Sequence, residues 1–186
     1  MDAGSGCTAS VAVDRVARLA PGAAGSTIGL RCLTPADAHH VADLLERMSP
    51  DSRYRRYFRL VRSLAPVDLA RFVAVSPDHL AVGAFDSGVL VGVAQYFRSA
   101  KHPDSAEVAV EVADSHHRRG VAARLVPELA RHAVDAGITH FTATVSAENR
   151  PVLELMRRSG WDLTMTLDGP YVDVDVTVPV GCQRRG

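Results

Sequence analysis

Hydrophobic and polar residues alternate most regularly over residues 106–113. The apolar positions of this stretch are Val108, Val110 and Val112, and the polar positions include Glu107 and Glu111. Because successive side chains of a strand point to opposite faces of a sheet, the alternation predicts a strand with one buried face and one polar face. Apolar residues then recur at helical spacing over residues 121–136 and predict a helix shortly after this strand.

Similar patterns along the rest of the chain predict further strands and helices. The predicted strands are residues 27–33, 79–85, 89–97, 106–113, 139–145, 161–166 and 171–178. The predicted helices are residues 34–48, 66–75, 121–136 and 149–160, with a short amphipathic helix within residues 52–62. Strands that alternate with helices in this way are typical of an α/β fold.

The chain has 186 residues, of which 47% are hydrophobic, and this is enough for one domain with a substantial core. We expect that single domain over residues 27–180. Glycine, alanine and serine are frequent at both ends of residues 1–26, which predicts a flexible N-terminal tail. The polar residues 181–186 are expected to be loose.

Composition narrows the classes of function. Lys and Arg number 21 and Asp and Glu number 21, and this zero net charge argues against a nucleic-acid-binding protein. The cysteines Cys7, Cys32 and Cys182 show no metal-ligand spacing and fit a reducing cytoplasm better than a disulfide scaffold. We expect no signal peptide and no apolar run long enough to span a membrane.

The junction between the central strand and the next helix carries the candidate chemistry. Arg118 and Arg119 precede Gly120 at the start of the helix, where free backbone N–H groups and the helix dipole favour an anion. Small residues at Gly120 and Ala122 would let a ligand approach the backbone. A pyrophosphate group suits this loop. The alternative, from the residues alone, is a basic helix N-terminus closed by an ordinary turn.

Two motifs in this part of the chain resemble those of the GNAT family of N-acetyltransferases. Residues 117–122 match the family pattern Gln/Arg-x-x-Gly-x-Gly/Ala, with His117 in the Gln/Arg place. The family's later motif of Asn, Leu-Tyr and Gly-Phe is matched at the same spacing by Asn149, Leu155-Met156 and Gly160-Trp161. The resemblance covers roughly residues 27–178.

A further segment is similar to one subgroup of this family. Residues 52–58 look like the Ser-x-Tyr-x-Arg-Phe-Phe segment of bacterial protein-lysine acetyltransferases of the Pat type. From the residues alone, the segment is a short helix with its aromatic residues inward and its arginines solvated. The resemblance instead implies a wall of the acceptor pocket. Both interpretations stay open at this point.

Resemblance to the GNAT family implies a central splayed mixed β-sheet flanked by about four helices, with acetyl-CoA as co-substrate and no metal. The free backbone groups of the central strand would pair with the pantetheine arm. The implied pantetheine contacts are Val108, Val110, Val112 and Asn149, although Asn149 has an alternative role as a helix N-cap. The implied pyrophosphate contacts are His117, Arg118, Arg119, Gly120, Val121, Ala122 and Ala123.

Acetyl transfer to an amine requires a general base, because a lysine with a pKa of about 10.4 is mostly ammonium at neutral pH. The resemblance places this base at Glu107, with Glu111 on the same face as the reserve. Apolar strand neighbours would raise the pKa of Glu107 toward neutrality, which suits a base. Each glutamate has the alternative role of a surface carboxylate paired with an arginine, and a β-bulge would change which of them faces the pocket. Met156 takes the place of the tyrosine that protonates the leaving thiolate in many relatives.

The leading hypothesis is therefore an acetyl-CoA-dependent N-acetyltransferase with a protein lysine as acceptor, in the cytoplasm, as a monomer or homodimer. A small amine or antibiotic is the alternative acceptor. Acidic residues around the acceptor pocket would favour a polycation, and an open groove would favour a protein. Outside the enzyme class, the chain would be a non-catalytic CoA-binding regulatory module, or a partner-binding domain that ignores CoA. We expect no nucleic-acid or membrane partner.

Overall fold

The predicted strands form one seven-stranded sheet in the computed structural model, which describes residues 28–58 and 61–179. The strands are β1 (Gly29–Cys32), β2 (His79–Asp86), β3 (Val89–Arg98), β4 (Ser105–Val112), β5 (His140–Ser146), β6 (Leu163–Asp168) and β7 (Tyr171–Thr177). They lie in the order β1-β2-β3-β4-β5-β7-β6, with β4 and β5 parallel and all other neighbours antiparallel. The expected α/β class with a mixed sheet is confirmed.

Five α-helices accompany the sheet within the described residues, where about four were expected. They are α1 (Ala38–Arg47), α2 (Pro50–Tyr57), α3 (Pro66–Phe72), α4 (Val121–Asp135) and α5 (Arg150–Arg158). Short 3-10 turns at Pro35–Asp37 and Asp114–His116 lie before α1 and α4. α2 starts anew after α1 because Ser49 caps its first turn by accepting a hydrogen bond from the Ser52 N–H, and Pro50 holds the first helical position.

Residues 1–26 and 181–186, which were predicted to be tails, lie outside the described residues, as do Cys7 and Cys182. Across residues 28–58 and 61–179, no helix is long and apolar enough to cross a membrane. The same part of the chain contains no group of three or more His, Cys, Asp or Glu residues that would hold a metal ion.

The pairing of β4 differs between its two edges. On one edge, β4 pairs with β3 continuously from Ala106 to Val112. On the other edge, it pairs with β5 only over Ser105–Glu107, opposite His140–Thr142. The two parallel strands therefore diverge after Glu107, and a gap opens between them in the middle of the sheet.

Different helices cover the two faces of the sheet. On one face, the valines of β4 pack against α4 around the fully buried Leu125 and Leu129, and Leu153 of α5 packs beside β5 and β7. On the other face, Leu44 of α1 and Phe72 of α3 pack against β2 and β3. Burial of these apolar side chains is the main stabilising contribution to the fold.

Gly92 of β3 brings the start of α4 close to the sheet. A Cβ atom at this position would lie 3.0 Å from Val121 Cγ1 and 3.2 Å from both Leu125 Cδ1 and the Glu111 carbonyl oxygen. The absence of a side chain therefore lets α4 begin directly above β3 and β4. This contact places the loop before α4 beside the end of β4.

Candidate active site

The site begins with the backbone of β4, which is free on one edge. The Ala113 N–H donates to the Val91 carbonyl at 2.9 Å, so the odd-numbered residues of β4 direct their hydrogen-bonding groups toward β3. The even-numbered residues Val108, Val110 and Val112 direct theirs toward the gap beside β5. Their side chains are half-buried in the core that includes α4. These three residues would therefore meet a ligand through their backbone groups.

The loop before α4 forms the second part of the site. Arg118 and Gly120 have φ angles of 58° and 76°, in the left-handed region, and Gly120 is the N-cap residue of α4. Val121 is buried in the core, whereas Ala122 is half-buried and Ala123 is exposed. A Cβ atom at Gly120 would meet nothing within 4 Å, so the space in front of the helix is open. The free N–H groups and the dipole of the 15-residue helix favour an anion in this space.

The basic residues in and just before this loop contact different partners. Arg119 and His116 both approach the carboxylate of Asp86, at 3.6 and 3.1 Å. His117 Nε2 instead lies 2.9 Å from the Val112 carbonyl oxygen, at the free edge of β4. Asp86 ends β2, 30 residues before His116, and no local spacing in the sequence indicates that these positions are in contact.

Asn149 is the N-cap residue of α5, but its side chain makes no capping hydrogen bond. Backbone groups form the hydrogen bonds at this end of the helix, since the N–H groups of Val152 and Leu153 donate to the Asn149 carbonyl oxygen at 3.1 and 3.2 Å. The side-chain amide is thus not used for the alternative role that the sequence left open. Met156, in the place of the family tyrosine, packs against the cluster that contains Leu153 and Val145.

Glu107 lies on the opposite face of the sheet from the valines, where β4 and β5 begin to diverge. It is exposed and lines a pocket of about 400 Å³. The other lining residues come from β5, β6 and β7: Thr142, Ala143, Thr144, Thr164, Thr166, Asp173, Val174 and Asp175. The surroundings of Glu107 are polar, whereas apolar neighbours were expected. Its carboxylate, with those of Asp173 and Asp175, gives the pocket a negative potential.

Glu111 is on the same face as Glu107, as the alternation predicts, because β3 and β4 pair without a register shift. It is buried beside α2, where its carboxylate accepts a hydrogen bond from the Tyr57 hydroxyl at 3.3 Å and lies 3.7 Å from Arg56 Nε. Burial raises the pKa of Glu111, and the Arg56 charge and the Tyr57 hydrogen bond oppose this only in part. Glu111 therefore lies close to an arginine, but in the interior and not on the surface.

The Ser52–Phe58 segment forms most of α2 and its C-cap, and it lies on the same face of the sheet as Glu107 and Glu111. Tyr54 is 49% exposed, whereas the Arg56 side chain is only 19% exposed. The expectation of inward aromatic residues and solvated arginines is therefore wrong for these two residues, because the buried Glu111 carboxylate attracts Arg56 inward. Phe58 stacks edge-on against Tyr171 of β7, with 4.8 Å between the ring centroids.

Comparison with known proteins agrees with this geometry. The model of the acetyltransferase (GNAT) family matches residues 39–161. Among solved structures, the GNAT domain of S. lividans PAT is 28% identical, with a TM-score of 0.74 over 80% of this chain and 89% of that one.

Two less similar structures share the fold. The PaiA N-acetyltransferase from Thermoplasma acidophilum, in complex with coenzyme A, is 16% identical, with a TM-score of 0.62 over 81% of this chain and 99% of that one. Diaminobutyrate acetyltransferase EctA from Paenibacillus lautus, in complex with L-2,4-diaminobutyric acid and coenzyme A, is 21% identical. Its TM-score is 0.63 over 83% of this chain and 96% of that one.

The matched region contains the diverging strands, the loop before α4 and the start of α5. The free edge of β4 and the open helix N-terminus fit a co-substrate with a pantetheine arm and a pyrophosphate. The chain therefore belongs to the acetyltransferase (GNAT) family, whose enzymes use acetyl-CoA to acetylate amines.

Proposed function

We propose that this chain transfers the acetyl group of acetyl-CoA to the primary amine of a protein lysine, with Glu107 as the general base. One observation carries the proposal: Glu107, the free edge of β4 and the loop before α4 follow one another along a single gap. The preference for lysine is supported by the 28% identity to the GNAT domain of S. lividans PAT and by the Ser52–Phe58 segment. A cytoplasmic location and a monomeric or homodimeric state stay predictions of the sequence.

Acetyl-CoA supplies the acetyl group as an activated thioester. The free N–H groups at Gly120 and the start of α4 would bind its pyrophosphate. The even-numbered residues of β4 would pair with the pantetheine arm as a neighbouring strand does, and the Asn149 amide would contact the same arm. A backbone N–H of this edge would donate to the thioester carbonyl oxygen and stabilise the negative charge that develops there.

The amine would approach from the face that carries Glu107. Glu107 would accept the proton of the ammonium group, directly or through water. The amine nitrogen then bonds to the carbonyl carbon as the carbon–sulfur bond breaks, the nitrogen loses its second proton to water, and the sulfur leaves as a thiolate. The exposure of Glu107 supports its choice as the base. Glu111 stays the reserve because its carboxylate is buried beside α2 and bonded to Tyr57.

Met156 has no proton to donate to the leaving thiolate. A CoA thiol resembles a cysteine thiol, whose ordinary pKa is about 8.5. Water can therefore protonate the thiolate near neutral pH, and the proposal requires no general acid at this position.

A second candidate function is acetylation of a small polycationic amine. The acidic pocket favours it, because Asp173 and Asp175 lie beside the proposed base Glu107 and would hold further ammonium groups of such a substrate. A non-catalytic CoA-binding module is the remaining alternative, and it would bind acetyl-CoA without turnover.

Gly120→Glu is expected to weaken acetyl-CoA binding at least about tenfold, or about 1.4 kcal/mol, because it places a carboxylate in the pyrophosphate site. Isothermal titration calorimetry measures this loss. Gly137→Glu is the matched control, since Gly137 has a φ of 80° against 76° for Gly120 but follows the far end of α4. Absence of binding by the folded wild type, or an equal loss in both variants, would contradict the proposed cofactor loop.

Glu107→Gln is expected to lower kcat/KM by about 10²–10⁴ while acetyl-CoA affinity is unchanged, because the amide cannot accept the proton. The measurement is thiol release from acetyl-CoA in the presence of a lysine-containing peptide. Glu46→Gln, on an exposed position of α1, is the control. Full activity of Glu107→Gln together with a loss of activity in Glu111→Gln would show that Glu111, and not Glu107, is the general base.

The double variant Asp173→Asn/Asp175→Asn tests the two acceptor classes. It is expected to raise the KM of the triamine spermidine about tenfold, but that of a single-lysine peptide less than about threefold, because only the triamine places additional charges in the pocket. Asp162→Asn, on an exposed residue outside the pocket, is the control. A higher wild-type kcat/KM for spermidine than for the peptide would favour the polycation candidate over the lysine proposal.

Glu111→Gln is expected to stabilise the protein at pH 8 more than at pH 5. Because burial raises the pKa of Glu111, its protonated form is favoured in the fold, and this contribution is lost as pH rises from 4.5 through the raised value. The variant does not ionise, so its Tm advantage should grow over this range, by about 2–4 °C for each kcal/mol. Thermal unfolding at several pH values measures it. A Tm difference that is independent of pH would show that Glu111 is not buried as described.

A further inference from the structure

Asp114 joins the cofactor loop to α2. Its carboxylate accepts a hydrogen bond from the Ser49 N–H at 2.5 Å, and from the hydroxyls of Ser49 and Ser52 at 3.2 and 2.5 Å. Asp114 also begins the 3-10 turn Asp114–His116 that leads into the loop before α4. One side chain therefore attaches the start of α2 to the segment that precedes the anion site.

These hydrogen bonds involve an ionised acceptor. Burial alone would raise the pKa of Asp114, but hydrogen bonds from Ser52 and Ser49 lower it, and the net pKa lies below its ordinary value. The carboxylate also faces the N-terminus of α2, where the helix dipole favours a negative charge. Hydrogen bonds to an ionised group are roughly twice as strong as those between neutral groups. Asp114 is therefore a strong attachment point for this helix.

α2 has little apolar packing of its own. None of its eight residues is buried, and a helix of this length is marginal by itself in water. At its other end, Arg56 and Tyr57 meet the Glu111 carboxylate, and Phe58 stacks on Tyr171. Contacts of a few side chains at each end, rather than a buried apolar face, therefore determine the position of α2, and Asp114 supplies those at its first turn.

We propose that Asp114 is a positioning residue that couples the cofactor loop to the acceptor side of the active site. This inference rests on the proposed binding of acetyl-CoA by the loop before α4. When acetyl-CoA occupies the loop, the turn that begins at Asp114 is held in one position, and its hydrogen bonds to Ser49 and Ser52 order α2. By thermodynamic reciprocity, an ordered α2 favours the loop conformation that binds acetyl-CoA.

The test is hydrogen–deuterium exchange of the full chain with and without saturating acetyl-CoA. In the wild type, acetyl-CoA is expected to slow exchange of the α2 amides about fivefold, together with that of residues 117–123. In Asp114→Asn, acetyl-CoA should still slow exchange of the loop amides. It should slow exchange of the α2 amides less than about twofold, because the neutral side chain accepts only weak hydrogen bonds from Ser49 and Ser52. Ser52→Ala, which keeps the Ser49 cap, should give an intermediate effect.

Asp51→Asn is the matched control, because it makes the same substitution on an exposed residue in the first turn of α2. In this variant, acetyl-CoA should still slow exchange of the α2 amides about fivefold. Equal slowing of α2 in the wild type, Asp114→Asn and Ser52→Ala would overturn the inference. Slowing of the loop alone in the wild type would also overturn it, but would leave the cofactor loop intact. If acetyl-CoA slows exchange nowhere and does not bind, the proposed function and this inference both fail.

Discussion

The unequal pairing of β4 is the constraint on which the rest of the structure depends. Its backbone pairs with β3 from Ala106 to Val112, but with β5 only over Ser105–Glu107. Backbone N–H and C=O groups inside a domain need partners, because an unpaired buried group costs about 1–3 kcal/mol. A strand in the middle of a sheet with a free edge therefore favours binding of an extended ligand. The pantetheine arm of acetyl-CoA contains amide groups that can form such hydrogen bonds.

The helices keep the two sides of this gap chemically different. α4 and α5 cover the face of the β4 valines, and α4 directs its N-terminus to the open space at Gly120. The opposite face of β5 and β7 carries the pocket with Glu107, Asp173 and Asp175. Polar contacts, rather than core packing, hold α2 beside this face. These contacts join α2 to Asp114 at one end and to Glu111 at the other.

Within the described residues, two places gather charged side chains, although the charges of the chain sum to zero. His116 and Arg119 lie around Asp86 at the loop before α4, while three carboxylates line the pocket beside β5 and β7. Composition reports only the balance of positive and negative charges, so it says nothing about where the fold brings them together. The potential around a site depends on where the strands and helices bring charges together.

The sequence by itself determined the strands and helices, the common face of Glu107 and Glu111, and the loop that begins α4 at Gly120. These features follow from residue periods and from glycine and proline positions, which act over a few neighbouring residues. Only the tertiary structure decided that Glu107 is exposed in an acidic pocket while Glu111 is buried. The contacts of Asp86 with His116 and of Asp114 with Ser49 were also decided at that level. They join residues 30 and 65 positions apart, so they exist only after strands and helices have packed together.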